Sequence, residues 1–315
     1  MTSGSAITTS SPVIARQTTG ALARRRVFEQ LIHAFLFVCA GISVVTTVSI
    51  VVVLLVESVQ FFFDVSIFEF FTETRWTPLL KPKHFGILPL LSGTMLIAVG
   101  SALVSIPIGL GTAVYLSEYA PSRLREVLKP VVEVLAGIPS VVYGYFAIVT
   151  ISPFVRSMFP SAGPFNAASA CVVVGIMTLP MVISLSEDAL RAVPRSLRQG
   201  AYALGATKYD VTVQVVVPAA MSGIVASFLL AISRAIGETM AVTLAAGATP
   251  RATLNPLESI QTMTAYIIQI SQGDTSAGTV EYRTIFAVGL SLFVATLLIN
   301  LLAQWFLTQV REKYE

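Results

Sequence analysis

Charged residues are scarce in this sequence. Asp, Glu, Lys and Arg make up 12% of the 315 residues, against roughly 25% in a soluble globular domain. Hydrophobic residues make up 55%, and the mean hydropathy is +0.79. So few charges cannot cover a compact fold with polar surface. The composition therefore excludes an ordinary soluble domain and predicts a polytopic, all-α membrane protein.

Cysteine and histidine are rare as well, with two of each. Cys39 and Cys171 both lie in apolar runs, which is typical of small hydrophobic residues rather than of a disulfide or metal site. His33 and His84 have no partner at metal-ligand spacing. The sequence also lacks the phosphate-binding loop G-x-x-x-x-G-K-[ST], the G-x-S-x-G elbow and the H-E-x-x-H pair. We therefore expect no metal, no cofactor, no nucleic-acid partner and no catalysis by this chain.

Apolar runs long enough to cross a hydrocarbon core of about 30 Å recur along the chain. The predicted spans lie at about 31–56, 88–116, 127–151, 167–185, 221–246 and 284–307. Residues 1–22, rich in Ser, Thr, Ala and Gly, predict a disordered cytoplasmic tail. The aromatic stretch 57–85 predicts an interfacial helix and loop. The transmembrane domain is expected over 23–315, with its core at about 86–308.

The distribution of Lys and Arg predicts the orientation of these six spans, because cytoplasmic loops are enriched in positive charge. Thirteen basic residues fall on the side of the termini and six on the other, while Arg234 lies within the fifth run. The thirteen are Arg16, Arg24, Arg25, Arg26, Arg123, Arg125, Lys129, Arg191, Arg195, Arg198, Lys208, Arg311 and Lys313. Both termini are therefore expected in the cytoplasm of a cell whose inner membrane holds the protein.

A hydrophilic loop at about 186–218 lies on the same side. Its centre predicts a helix that begins at Pro194 and is broken at Gly205, followed by a second short helix that ends at Pro218. Two short helices joined by a glycine turn form a projection suited to a groove on a soluble partner. The alternative is an ordinary amphipathic loop.

Two charges interrupt the fifth apolar run, where each costs several kcal/mol unless it is paired or hydrated. Arg234 and Glu238 are four residues apart, so a continuous helix would place them on one face. They predict either a structural ion pair or a translocation site in which the guanidinium binds a tetrahedral oxyanion. Glu133 and Ser140, within the third run, are weaker candidates to face such a pathway, and Glu133 could instead pair with a cytoplasmic arginine.

Several motifs resemble ABC importer permeases. Gln199-Gly200-Ala201, then Gly205, then a Val-x-Val-Pro end at 215–218, is similar to their Glu-Ala-Ala loop, with Gln for Glu, Gly for the first Ala, and Val for Ile and Leu. Further segments resemble the PstC-type permeases of phosphate importers. These are 85–89 (FGILP), 93–94 (GT), 115–121 (YLSEYAP), 137–140 (GIPS) and 234–242 (RAIGETMAV).

This resemblance implies a MetI-like permease fold that carries phosphate into the cell on ATP hydrolysed by a partner. It implies a PstA-like sister permease, a PstB-like nucleotide-binding ATPase and a periplasmic PstS-like phosphate-binding protein, in contact with membrane lipid. The substrate pathway is assigned to Arg234, Glu238, Thr239, Ser233 and Ser140. Coupling to the ATPase is assigned to Gln199, Gly200, Ala201, Leu204, Gly205 and Ala206. Sulfate, molybdate, and an ATP-independent transporter or channel stay open as alternatives.

Overall fold

A computed structural model describes residues 12–276 and 278–310. The chain forms two compact units, residues 1–55 and 56–315, so the predicted transmembrane domain extends over both. In the first unit, the helix from Pro12 continues through residue 55, and none of its side chains from Phe28 onward is buried. Residues 12–22, expected to be disordered, are thus helical. The helix is favoured here because alanine and arginine, which recur at 21–26, are good helix formers. The rest of the predicted tail, residues 1–11, lies outside the described residues.

The described residues form helices and loops, with no strand beyond one isolated bridge between Trp76 and Phe85. The helices are α1 (Pro12–Asp64), α2 (Ile67–Thr72), α3 (Leu88–Val114), α4 (Ser122–Ala136), α5 (Ser140–Phe146), α6 (Ser152–Met158), α7 (Ala167–Ala192), α8 (Arg195–Ala203), α9 (Lys208–Asp210), α10 (Val217–Ala219), α11 (Met221–Ile236), α12 (Met240–Ala246), α13 (Met263–Ser271) and α14 (Val280–Val310). Wider π-helical turns at Tyr115–Tyr119, Ala147–Ile151 and Val211–Val216 extend α3, join α5 to α6 and join α9 to α10.

Five described stretches are long and apolar enough to cross a membrane: Phe28–Asp64, Leu88–Tyr119, Ser140–Met158, Ala167–Ala192 and Val280–Trp305. A sixth is formed if Lys208–Ala219 and Met221–Ile236, bent by 67° at Ala220, count as one. The all-helical class with five to six spans is therefore confirmed. The first, second, fourth and sixth predicted spans coincide with α1, α3, α7 and α14.

The predicted range of the third span was wrong. We predicted 127–151, but α4 ends at Ala136, and the span begins after Pro139 at Ser140. Proline has no N–H and disfavours a helical residue before it, so Gly137-Ile138-Pro139 ends one helix rather than bending it. The preceding helix α4 is amphipathic and carries Glu133 on an exposed position. Glu133 is therefore not within the span.

The centre of the second unit is the seam between α3 and α7. A Cβ added to Gly100 would lie 2.3 Å from the Sγ of Cys171, and one on Gly175 would lie 2.7 Å from the Cβ of Val104. These glycines leave no room for a side chain, so the two helix backbones approach closely. Packing of small residues is a main source of helix association in lipid, where no hydrophobic effect separates helices from their surroundings.

Aromatic residues from the end of α1 to the start of α3 form a buried cluster with Tyr266 of α13. Phe61, Phe70, Trp76, Phe85 and Tyr266 are each no more than 8% exposed, and their rings meet edge to face, with Trp76 and Tyr266 4.9 Å apart. We expected these aromatics in an interfacial helix and loop. The structure instead continues α1 to Asp64 and buries four rings of the stretch, while Phe63, Phe68 and Phe71 stay exposed.

Candidate functional sites

The predicted fifth span, 221–246, is broken at Gly237, Glu238 and Thr239. Helix α11 ends at Ile236, and α12 begins at Met240. Arg234 and Glu238 therefore do not share one continuous helix, and in the described part of the chain no ion pair or hydrogen bond joins them. The predicted i,i+4 pair is corrected on this point, since it required an unbroken helix.

Each of the two charges is instead stabilised by the nearest helix end. Arg234 lies in the last turn of α11, where the helix dipole favours a cation. The Oε1 of Glu238 accepts a hydrogen bond of 3.2 Å from the backbone N–H of Ala241, in the first turn of α12, where the dipole favours an anion. The break thus gives Glu238 a hydrogen-bond donor and places Arg234 at the favourable end of a helix dipole.

Two neighbouring helices hold the break through polar side chains that sequence reasoning missed. The hydroxyl of Thr264 on α13 donates a 2.9 Å hydrogen bond to the carbonyl of Glu238. The hydroxyl of Ser233 donates a 2.9 Å bond to the Oδ1 of Asn300 on α14. Thr239 bonds the nearby carbonyl of Gly237 at 3.1 Å. Asn300, an amide within an apolar run, was the available signal.

Ser140 begins α5, which packs on α12: a Cβ on Gly144 would lie 3.0 Å from the Cα of Ala241. No described hydrogen bond or ion pair joins Ser140 to Ser233, Arg234 or Glu238. The structure therefore brings Ser233, Arg234, Glu238 and Thr239 together at the break and places Ser140 on a neighbouring helix.

The Arg234 side chain is exposed and has no hydrogen-bond or ion-pair partner among the described residues. Its five N–H donors match the geometry of a tetrahedral oxyanion. Interrupted helices are tolerated at membrane depth where they line a cavity or a water-filled path. The break can therefore present a free cation and backbone dipoles to an anion.

The second candidate site is the helix-turn-helix at 194–219, whose predicted form is confirmed. Helix α8 follows Pro194 and ends in a Schellman turn at Gly205, whose φ is +86°. The N–H of Ala206 bonds the carbonyl of Ala201 at 3.2 Å, and the N–H of Gly205 bonds the carbonyl of Tyr202 at 3.0 Å. Thr207 and Asp210 then form a capping box that starts α9.

The six residues assigned to coupling lie together on this turn, which we call the coupling surface (residues 195–206). Gln199, Gly200, Leu204 and Gly205 are exposed, and the Leu204 side chain is 90% exposed. Ala201 and Ala206 are half-buried and pack inward against the cluster that contains Val193 and Val211. Four of the six residues are thus free for a partner, while the two alanines hold the turn.

Arg198 anchors the coupling surface to the rest of the chain. Its guanidinium donates to the carbonyls of Leu190 at 2.8 Å and Val193 at 2.6 Å, and to the Oε1 of Glu118 at 3.0 Å. The two carbonyls lie at the C-terminal end of α7, where backbone N–H partners are few, and that of Leu190 also accepts a 3.4 Å bond from the N–H of Val193. One side chain thereby joins α8, α7 and the π-helical turn after α3.

Two lysine side chains near Arg198 also contact neighbouring segments. The Lys208 ammonium lies 4.8 Å from the centre of the Tyr119 ring. Lys129 of α4 bonds Glu187 at 2.7 Å and Asp188 at 2.9 Å on α7, and Glu187 is buried. Hydrogen bonds to Asp188 and Glu187 raise the pKa of Lys129 above its ordinary value. From the sequence, Lys129 and Lys208 were predicted only as cytoplasmic cations, and Tyr119 only as part of the 115–121 motif. Their partners were not predicted.

Solved structures share this fold. An inward-facing form of the MetNI methionine ABC transporter superposes with a TM-score of 0.56, covering 72% of this chain and 98% of that one at 20% identity. A second crystal form of the same transporter gives a TM-score of 0.54 at 18% identity. At such identities the likeness concerns the fold alone, and it confirms the predicted MetI-like arrangement.

Sequence comparison gives the family. The probable ABC transporter permease protein YqgH of Bacillus subtilis is 36% identical over 85% of this chain and 87% of its own length. The phosphate transport system permease protein PstC of Mesorhizobium japonicum is 33% identical over 77% of this chain and 79% of its own. The family described as binding-protein-dependent transport system inner membrane component matches residues 105–314. The chain therefore belongs to the binding-protein-dependent transport system inner membrane components, a family of transport permeases.

Proposed function

We propose that this chain is the PstC-type membrane subunit of an ATP-driven importer that carries inorganic phosphate across the inner membrane. The observation that carries the proposal is the exposed, unpartnered guanidinium of Arg234 at the break in the fifth span. The relatives named phosphate permeases, at 31–33% identity, favour phosphate over sulfate or molybdate as the anion.

The geometry of the break supports a passage in which Arg234 binds the oxyanion through two parallel hydrogen bonds. Glu238, held by the N–H of Ala241, repels the anion and keeps it on the arginine side of the break. Thr239 and Ser233 offer hydroxyls beside it. Ser140, on the packed helix α5, contributes only if the helices rearrange during transport.

The coupling surface supports docking of a PstB-like ATPase, because Leu204 and Gln199 project into solvent from a rigid turn. ATP hydrolysis is assigned to that partner. A PstA-like sister permease and a PstS-like binding protein complete the assembly, with both termini and the coupling surface on the cytoplasmic side.

The test is radiolabelled uptake in cells that lack this chain and are complemented with variants. Wild type is expected to restore uptake of phosphate, with sulfate and molybdate assayed side by side. Arg234→Gln is expected to lower phosphate uptake at least about tenfold, since one charge-assisted hydrogen bond contributes roughly 1.5–3 kcal/mol. Arg234→Lys is expected to retain part of it, because Lys keeps the charge but not the planar fork.

The matched control is Arg156→Gln, an exposed arginine at the end of α6. Assembly of each variant is followed by copurification of the ATPase. Normal phosphate uptake by an assembled Arg234→Gln variant would return this residue to a structural role. Uptake in vesicles that persists without ATP, with no ATPase copurifying, would support the ATP-independent alternative instead.

A further inference from the structure

An apolar groove lies in the second unit, and its lining includes no residue of the break or of the coupling surface. It encloses about 390 Å³ between α14, the end of α1 and α2. Leu290, Val294 and Leu298 recur every four residues and therefore form one stripe along α14. Phe62 and Phe71 line the opposite wall. The one hydroxyl in the lining, that of Ser291, already donates to the carbonyl of Ala287 at 2.8 Å, so the groove offers hydrocarbon contact only.

A pair of opposite charges stands at one end of this groove. Arg283 precedes Leu290 by seven residues, two helical turns along the same face of α14. Asp64 follows Phe62 by two residues, and its Oδ2 accepts a 3.3 Å hydrogen bond from the Nη1 of Arg283. No other described group bonds this guanidinium, and its Nε is buried without a partner. Donors on the terminal nitrogens of Arg283 and acceptor sites of Asp64 therefore remain for a ligand.

The other charges near this end are balanced. Glu281, two residues before Arg283, forms an ion pair with Lys83, which lies in the loop between α2 and α3. The neighbourhood thus has two cations and two anions. Such a site favours a headgroup with one charge of each sign over a purely anionic headgroup, which would face both Asp64 and Glu281.

The length of the site matches one leaflet. Fifteen residues separate Arg283 from Leu298, which is about 22 Å along a helix. Half of a bilayer with its headgroup region is roughly 20–22 Å thick. A phosphate beside Arg283 would therefore leave an acyl chain lying along Leu290, Val294 and Leu298.

We propose that this groove holds one phospholipid with an ethanolamine headgroup, in the leaflet opposite the coupling surface. The lipid phosphate accepts hydrogen bonds from Arg283, and its ammonium donates to Asp64. One acyl chain lies between Phe62, Phe71 and the stripe on α14. The site is a binding site only and involves no covalent step.

The test uses the intact permease complex in nanodiscs of phosphatidylethanolamine, phosphatidylcholine or phosphatidylglycerol, followed by mild delipidation and native mass spectrometry. We expect wild type to retain one phosphatidylethanolamine and to retain the other two lipids less. Arg283→Gln is expected to lower retention about fivefold through the lost charge-assisted hydrogen bonds, while Arg156→Gln has no effect. Equal retention of all three lipids, or unchanged retention in Arg283→Gln, would overturn the headgroup assignment.

A second pair of variants tests the acyl-chain groove. Ala295→Trp fills the groove that Ala295 lines, whereas Leu297→Trp places the same ring on an exposed position outside the lining. Only Ala295→Trp is expected to release the lipid. A photoreactive side chain at 295 in the intact complex is expected to give a lipid adduct. An adduct with the sister permease instead would identify the groove as a subunit interface and contradict the lipid proposal.

Discussion

Arg198 and Glu118 form a salt bridge of 3.0 Å between the coupling surface and the π-helical turn that ends α3. Both side chains are mostly buried, at 17% and 9% exposure, and the same guanidinium binds the last carbonyls of α7. One side chain therefore joins α8 to two membrane spans. Charge-assisted hydrogen bonds of this kind are about twice as strong as neutral ones and fix the geometry of the groups that they join.

The first prediction concerns this anchor. Arg198→Gln is expected to lower phosphate uptake strongly while ATP hydrolysis continues, because the guanidinium that joins α8 to both spans is lost. The local cost is about 1.5–3 kcal/mol for hydrogen bonds to charged groups. Uptake and ATPase activity are measured on the same reconstituted complex. Arg156→Gln, at an exposed position of α6 outside the coupling surface, serves as control. Parallel loss of uptake and ATPase activity in Arg198→Gln would argue for failed assembly instead.

The salt bridge can be isolated by a double-mutant cycle. Glu118→Gln alone removes the charge and leaves the two carbonyl bonds of Arg198, so it is expected to have a smaller effect than Arg198→Gln. If Glu118 acts only through Arg198, the double variant is expected to match Arg198→Gln. Additive losses in the double variant would show that Glu118 has a separate role.

A second prediction addresses the partner contact of Leu204. This side chain is 90% exposed at the tip of the turn, and a large apolar residue in water is the natural anchor for a pocket on a partner. Leu204→Asp is expected to prevent copurification of the ATPase, with loss of uptake and no change in thermal stability of the isolated permease. Leu254→Asp, on a residue 81% exposed in the loop after α12, is the matched control and is expected to leave copurification intact.

Helix α8 could be predicted from sequence because its signals are local. Pro194 starts it, and Gly205 ends it in a conformation that other residues adopt at a cost. The break at 237–239 could not, because a single Gly237 within an apolar run does not distinguish a continuous span from two helices. The break is stabilised by contacts between distant segments. These are the hydrogen bond from Thr264 to the Glu238 carbonyl and the packing of Gly144 on Ala241. The partners of Arg198 likewise come from distant segments.

The third prediction compares two glycines of the coupling surface. Gly205 has a φ of +86°, and a Cβ there would meet nothing within 4 Å. The cost of Gly205→Ala is therefore conformational rather than steric, about 1 kcal/mol or more. Gly200 lies inside α8 and has equally open space, so Gly200→Ala is expected to stabilise by about 0.4–1 kcal/mol. The midpoint of thermal unfolding of the purified complex is expected to fall for the first variant and rise for the second. The same sign for both would contradict the left-handed turn.

The fourth prediction concerns pH and the Lys129 cluster. Hydrogen bonds to Asp188 and Glu187 raise the pKa of Lys129 above its ordinary value of 10.5. A raised pKa means that the stabilisation is fully present below the ordinary value and is lost only as the pH rises through the raised one. The contribution of Lys129 is thus expected to be constant between about pH 6 and pH 9.

Lys129→Gln leaves the buried Glu187 with Arg191 alone, at 3.5 Å, and is expected to cost about 1–3 kcal/mol. The difference in unfolding free energy between wild type and Lys129→Gln, measured across this range, should therefore stay level. A difference that shrinks as the pH rises from 7 to 9 would mean that Lys129 loses its proton early and that its two carboxylate partners do not hold it charged.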